Sequence, residues 1–315
     1  METIAIRTQG LSKRYGDTDA LHDLDLELAQ GEVVGYLGPN GAGKTTTIRL
    51  LLGLIRPTRG RAEIFGLDCQ SQAVAAHRRL AYVAGEANLW PSLTGAETLH
   101  LLGRVQGKVD PAYRDELVER FALDPSKKVR VYSKGNRQKV ILIAALMTRA
   151  ELLLLDEPTA GLDPLMEQAF RHCVGEARER GQTIFLSSHI LSEVEALCDR
   201  VAILREGALV EVGTMAQLRH LSALTVEATF DGSVPDLGGV PGVTAVQRDG
   251  RVVRLQVRGT VEPLLKVLAA SGVRELLSRE PSLEELFLAH YGDGDGEGRS
   301  HAGAGVAGAG RDHGE

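Results

Sequence analysis

The chain has 315 residues, 43% of them hydrophobic and 25% charged, and its 42 Asp and Glu outnumber its 36 Lys and Arg for a net charge of −6. The length suggests two domains, the composition excludes collagen-like, coiled-coil and wholly disordered chains, and the acidic balance argues against a dedicated nucleic-acid binder. The longest apolar run, 140–147, has eight residues against the roughly 20 of a membrane-spanning helix; the N-terminus carries no signal-peptide core, and three cysteines without a C-x-x-C pair (Cys69, Cys173, Cys198) suit a reduced, cytosolic chain.

In chain order, residues 1 to about 215 alternate short apolar runs with helical patterns, which reads as α/β with a central, mostly parallel sheet. Residues 32–37 are the first buried-strand candidate. Gly38, Pro39, Asn40, Gly41, Ala42, Gly43, Lys44 and Thr45 follow and match G-x-x-x-x-G-K-[ST], and a helical run over 46–52 opens at Thr46. Strand, glycine loop and helix in that order are the context of a P-loop NTPase. The glycines let the backbone wrap a phosphate closely, and successive N–H groups with the helix N-terminus bind the anion. Lys44 is expected at the β- and γ-phosphates of ATP, Thr45 on Mg²⁺, and Thr46 among the nucleotide-binding residues beside them.

Residues from about 93 to 147 read as a helical insertion. Thr94 with Glu97 fits a capping box, Asp110 precedes a Pro at a first helical position, and Ser133 precedes an apolar helix over 140–147. Four leucines at 152–155 then form a strand that ends in Asp156 and Glu157. Asp156 suits the Mg²⁺ side of the site, and Glu157 suits polarising an attacking water. The next strand, 182–187, leads into Ser187, Ser188 and His189, and the His189 tip is expected to face the γ-phosphate and position the water.

Residues 222 to about 290 read as a small α+β domain. Runs 224–230 and 251–257 alternate like strands, Asp249-Gly250 marks a turn before the second of them, and 260–270 and 282–290 read as helices, the latter with Ser282 and Glu285 as a capping box. Residues 292–315 include nine glycines, and Val306 is their only aliphatic residue larger than Ala. Such a segment buries too little apolar surface to offset its chain entropy and is expected to be a disordered tail.

These motifs together resemble an ABC transporter ATP-binding protein over about residues 3 to 220. Tyr132-Ser133-Lys134-Gly135-Asn136-Arg137-Gln138 is similar to the family's LSGGQ signature, and Ala160-Gly161-Leu162-Asp163 to its D-loop. The resemblance implies that Tyr15 stacks on adenine and that His189 is the switch histidine. It further implies that Ser133, Gly135 and Asp163 take part in binding ATP held by the opposite protomer, so that two ATPs lie between two head-to-tail chains and hydrolysis requires a homodimer. The family usually carries Gln where Gly85 aligns; here Glu86 is adjacent, Asn136 stands in place of the signature Gln, and Lys134 in place of its first Gly.

The ending Pro281-Ser282-Leu283-Glu284-Glu285-Leu286-Phe287-Leu288 resembles the daunorubicin-resistance branch of drug exporters. The function expected from these resemblances is the ATP-hydrolysing subunit of a multidrug or antibiotic exporter at the cytoplasmic face of the cell membrane. A separate permease, docking its coupling helix on the surface from Gly85 to Leu102, is the expected partner, with no nucleic acid. The rival is a soluble ABC ATPase acting on ribosomes or DNA. A single P-loop, a short helical insertion and negative charge stand against it.

Overall fold

The computed structural model describes residues 3–107, 109–220, 224–257 and 260–279. The chain divides into two compact units, Met1–Leu218 and Arg219–Glu315.

The first unit opens with an antiparallel hairpin, β1 (Ile4–Tyr15) and β2 (Thr18–Ala29), followed by β3 (Val33–Leu37), α1 (Lys44–Leu51), β4 (Arg59–Ile64), β5 (Leu67–Asp68), α2 (Ala73–His77) and β6 (Leu80–Val83). Three helices follow, α3 (Gly95–Gln106), α4 (Pro111–Arg120) and α5 (Lys134–Leu146). The unit closes with β7 (Leu152–Asp156), α6 (Pro164–Glu179), β8 (Thr183–Ser188), α7 (Leu191–Leu197), β9 (Arg200–Arg205), β10 (Ala208–Thr214) and α8 (Met215–His220).

Two sheets form. One is antiparallel, in the order β2-β1-β4-β5; the other has the order β10-β9-β3-β8-β7-β6 and is parallel except for β10 at its edge. Every residue of β3, β7 and β8 is buried, as expected of parallel strands covered on both faces. Val34, Tyr36, Leu152, Leu154 and Phe185 from the central sheet share one apolar cluster with Leu24, Leu26 and Leu28 of β2 and Ile48 and Leu51 of α1. In α6 the buried residues are Phe170, Cys173, Val174 and Ala177, a helical stripe. All three cysteines are buried and free.

The expected helical insertion is present as α3 to α5. Thr94 and Glu97 make both bonds of the capping box, and Asp110 caps α4 ahead of Pro111. One boundary differs: α5 begins at Lys134, directly after Ser133, rather than at the apolar run. Its first turns are polar in sequence, but the Ser133 side chain accepts the Asn136 N–H and so starts the helix there.

The second unit contains β11 (Leu224–Phe230), β12 (Val243–Asp249), β13 (Val252–Val257), α9 (Glu262–Ala270) and β14 (Val273–Arg279), with an antiparallel sheet ordered β12-β13-β11-β14. Gly250, at positive φ, makes the expected turn between β12 and β13. Val226, Ala228, Phe230, Val253, Leu255, Leu264 and Leu268 build its core. The helix expected at 282–290 and the tail expected at 292–315 lie outside the described residues. Among the described residues no helix is long and apolar enough to cross a membrane.

Candidate nucleotide site

The sheet order assembles the site. β8 lies between β3 and β7, with Leu37 beside Ser188 and Asp156 beside Ser187. The glycine loop after β3, the carboxylates after β7 and the histidine after β8 therefore leave the same end of the sheet. This is the carboxyl end, where open parallel sheets bind ligands.

In the loop, Gly41 and Gly43 have φ of 85° and 109°, conformations that glycine adopts without strain. A Cβ on Gly43 would also stand 2.7 Å from the Ala20 carbonyl oxygen. Gly43 is the N-cap of α1 and supplies no side chain, so no side-chain oxygen competes for the helix's first N–H groups. Lys44 is 5% exposed, and its Nζ donates to the carbonyls of Gly38 at 2.6 Å and Pro39 at 3.1 Å. Burial lowers its pKa, and the nearby Glu157 and Asp156 carboxylates oppose that shift. Thr45 and Thr46 are half-buried at the start of α1. Behind them Thr47 Oγ1 meets Tyr36 Oη at 3.0 Å and fixes the helix to β3.

Asp156 is 3% exposed and accepts a 2.6 Å hydrogen bond from Ser187 Oγ. Glu157 has a φ of 46°, a left-handed conformation uncommon outside glycine. Its N–H is held by the Ser187 carbonyl at 3.1 Å. That turn aims its carboxylate at Lys44 Nζ, 3.6 Å away, and at His189 Nδ1, 3.3 Å away. A Cβ on Gly85 would lie 3.9 Å from Asp156 Oδ2, so the loop after β6 passes beside the same carboxylate without a side chain.

Ser133, Gly135 and Asp163 form a second cluster. Ser133 caps α5, and Asp163 caps α6 by accepting the Met166 N–H at 3.0 Å. A Cβ on Gly135 would stand 2.5 Å from the Gly161 carbonyl oxygen. Gln138, 1% exposed, donates from Nε2 to the Pro158 carbonyl at 3.0 Å. The signature helix and the turn after Glu157 are thus fastened together within one chain. Tyr15 ends β1 half-exposed, with Lys13 Nζ 5.0 Å from its ring centre.

The sequence reading missed Ser187, Gln138 and Thr47. Each is buried with a specific partner brought in from elsewhere in the chain, Ser187 with Asp156, Gln138 with Pro158 and Thr47 with Tyr36. A groove of about 310 Å³ lies where the loop after β6 meets α3 and α5, lined among others by Tyr82, Glu86, Leu89, Trp90, Leu102 and Ile141.

The sequence profile of the family described as ABC transporter matches residues 21–160. The chain is 37% identical over 309 residues to a daunorubicin resistance ATP-binding protein of Streptomyces coeruleorubidus, covering 93% of this chain and 98% of that one. It is 42% identical to the bacitracin transport ATP-binding protein of Bacillus licheniformis, covering 67% of this chain and 70% of the relative. Among solved structures, an ATP-binding subunit of an ABC transporter superposes with a TM-score of 0.64 at 33% identity, over 69% of this chain and 92% of that one. A glycine loop that frees the amides of α1, a carboxylate pair facing it and a near full-length match to an ATP-binding relative converge: the chain belongs to the ABC transporter family as an ATP-binding, ATP-hydrolysing protein.

Proposed function

We propose that this ATPase powers export of a drug- or antibiotic-like hydrophobic compound through a separate membrane permease, acting as a homodimer at the cytoplasmic face of the cell membrane. Its relatives' names supply the substrate class: one confers daunorubicin resistance and another transports bacitracin. The groove beside Trp90 and Leu102 is an apolar surface suited to a permease helix. A solved cassette with the same fold is dimeric and bound to ADP and phosphate.

The observation that carries the catalytic reading is Glu157, held between Lys44 and His189 at 3.6 and 3.3 Å. In this reading the amides of Gly41 to Thr46 and the Lys44 ammonium bind the phosphates of ATP, with Gly38, Pro39 and Asn40 shaping the loop and Tyr15 against the adenine. Lys44 leaves its bonds to the loop carbonyls when the phosphate arrives. Glu157 orients and deprotonates the water, and His189 hydrogen-bonds Glu157 and the γ-phosphate. Ser133, Gly135 and Asp163 contact the ATP of the opposite protomer.

Mg²⁺, when bound, neutralises charge on the β- and γ-phosphates. Among the described residues no three His, Cys, Asp or Glu side chains gather to hold a metal alone. Asp156, buried and hydrogen-bonded, and the Thr45 hydroxyl suit an ion that takes one carboxylate and completes its shell with phosphate oxygens and water.

The test is Glu157→Gln, which preserves shape and removes the base. ATP turnover is expected to fall by about 10²–10⁴-fold, with an ATP-bound dimer accumulating on size-exclusion chromatography. Full turnover in this variant would remove Glu157 from the general-base role.

A further inference from the structure

β8 ends at Ser188, and the chain then turns through His189 into α7. Ser188 Oγ accepts the Ile190 N–H at 2.9 Å and donates to Glu193 Oε2 at 2.7 Å. His189 therefore sits inside a turn whose two flanks are tied through one hydroxyl to the Glu193 carboxyl. Glu193 is 4% exposed, and its second oxygen, Oε1, is buried without a hydrogen-bond partner. The side chain of Thr159, itself buried, stands beside the carboxyl.

A buried carboxyl is costly unless it is hydrogen-bonded, and here one oxygen has a single donor, Ser188. Burial also raises its pKa, which favours the neutral acid. The helix that carries it cannot easily withdraw. A Cβ on Gly35 of β3 would overlap Val194 Cγ1 and stand 3.0 Å from Cys198 Sγ, so α7 is seated directly on the sheet.

We propose that Glu193 is a positioning residue for hydrolysis, holding through Ser188 the turn that carries His189 against the turn that follows Glu157. This inference rests on the reading of Glu157 and His189 as the hydrolytic pair. Their 3.3 Å contact joins side chains from two separate loops. A geometry of that kind survives only if both loops are held; a misplacement near 1 Å costs on the order of 100-fold in rate. Glu193 holds the His189 turn through Ser188, and Gln138 fastens Pro158 in the turn after Glu157.

The experiment measures ATP turnover by the full-length protein with Glu193→Ala, Glu193→Gln and Ser188→Ala, beside Glu157→Gln and His189→Ala as references. Glu193→Ala is expected to lower kcat about tenfold or more while KM for ATP stays within about twofold, because the P-loop is untouched. Glu193→Gln is expected to recover most of kcat, since its amide oxygen still accepts from Ser188. Ser188→Ala removes the same bond from the other partner and is expected to match Glu193→Ala, which keeps the test alive if Glu193→Ala fails to fold. Unchanged kcat in Glu193→Ala and Ser188→Ala, a loss confined to KM, or a Gln variant as impaired as Ala would each overturn the proposal. Full turnover in Glu157→Gln and His189→Ala would instead overturn the hydrolytic reading on which it rests.

Discussion

Gly135→Ala probes the fastening between the signature helix and the turn after Glu157. The added Cβ would stand 2.5 Å from the Gly161 carbonyl oxygen, about 0.9 Å inside ordinary van der Waals contact near 3.4 Å. Neither side yields easily. The α5 side is held by the Ser133 cap and by the Gln138–Pro158 bond. The loop side is held by the Leu162 N–H to Thr159 carbonyl bond at 2.9 Å and by the Asp163 cap. Overpacking of this kind costs about 1–3 kcal/mol. Alanine is a better helix former than glycine by roughly 1 kcal/mol, which leaves a net loss of about 0–2 kcal/mol.

At roughly 2–4 °C per kcal/mol for a unit of this size, the melting temperature falls by at most several degrees and the fold survives. Catalysis is more sensitive. A displacement near 1 Å passed through Pro158 to Glu157 is expected to lower turnover on the order of 100-fold. Thermal unfolding and ATP turnover at saturating ATP read the two effects separately. Gly175→Ala is the control: it sits within α6 with open space at its Cβ, so it is expected to raise stability by about 0.5–1 kcal/mol and leave turnover alone. Wild-type turnover in Gly135→Ala would refute the argument that this contact holds Glu157.

Three other outcomes follow from the geometry. Ser133→Asp keeps an N-cap of equal quality, so the melting temperature is expected to hold within about 0.5 kcal/mol of stability, while a carboxylate placed where phosphate is proposed to bind abolishes ATP-dependent dimerisation; a variant that dimerises normally removes Ser133 from ATP binding. Gly85→Gln is tolerated, since its Cβ comes no nearer to any atom than 3.4 Å, at the Asp156 carbonyl oxygen, and its amide is expected to lower the Mg²⁺ concentration needed for half-maximal turnover; an unchanged Mg²⁺ titration refutes this. Glu193→Gln tests the buried acid through stability. The folded-state pKa of Glu193 is raised, so the folded protein holds this proton where the unfolded chain has lost it, and wild-type stability declines as pH rises above the ordinary carboxyl range near 4.5. The Gln variant escapes that decline: its melting temperature is expected to exceed wild type at pH 7–8 and to match it near pH 4, and a pH-independent difference would refute the assignment.

Much of the site was legible because its signals are local. The glycine spacing of 38–43, the Lys44-Thr45 pair and the carboxylates after four leucines depend on residues adjacent in the chain. The caps at Thr94, Asp110 and Ser133 were legible for the same reason, since a cap needs only the next three residues. The β1–β2 hairpin and the start of α5 were not. The six residues from Lys134 to Lys139 are polar or glycine in sequence, so an apolar pattern alone starts the helix too late. The long β1 and β2 strands carry several register shifts that break a strict two-residue alternation.

The sequence by itself determined the glycine loop, the residue types that follow it and the family the chain belongs to, because a strand, a glycine-rich turn and a helix start are written in contiguous residues. Only the tertiary structure decided that Glu157 faces both Lys44 and His189, that Gly135 touches Gly161, and that Glu193 is buried behind Ser188. Those relations depend on the strand order β3-β8-β7 and on how α5 and α7 seat against it. Strand order in a parallel sheet joins segments distant in the chain, and no local spacing encodes it.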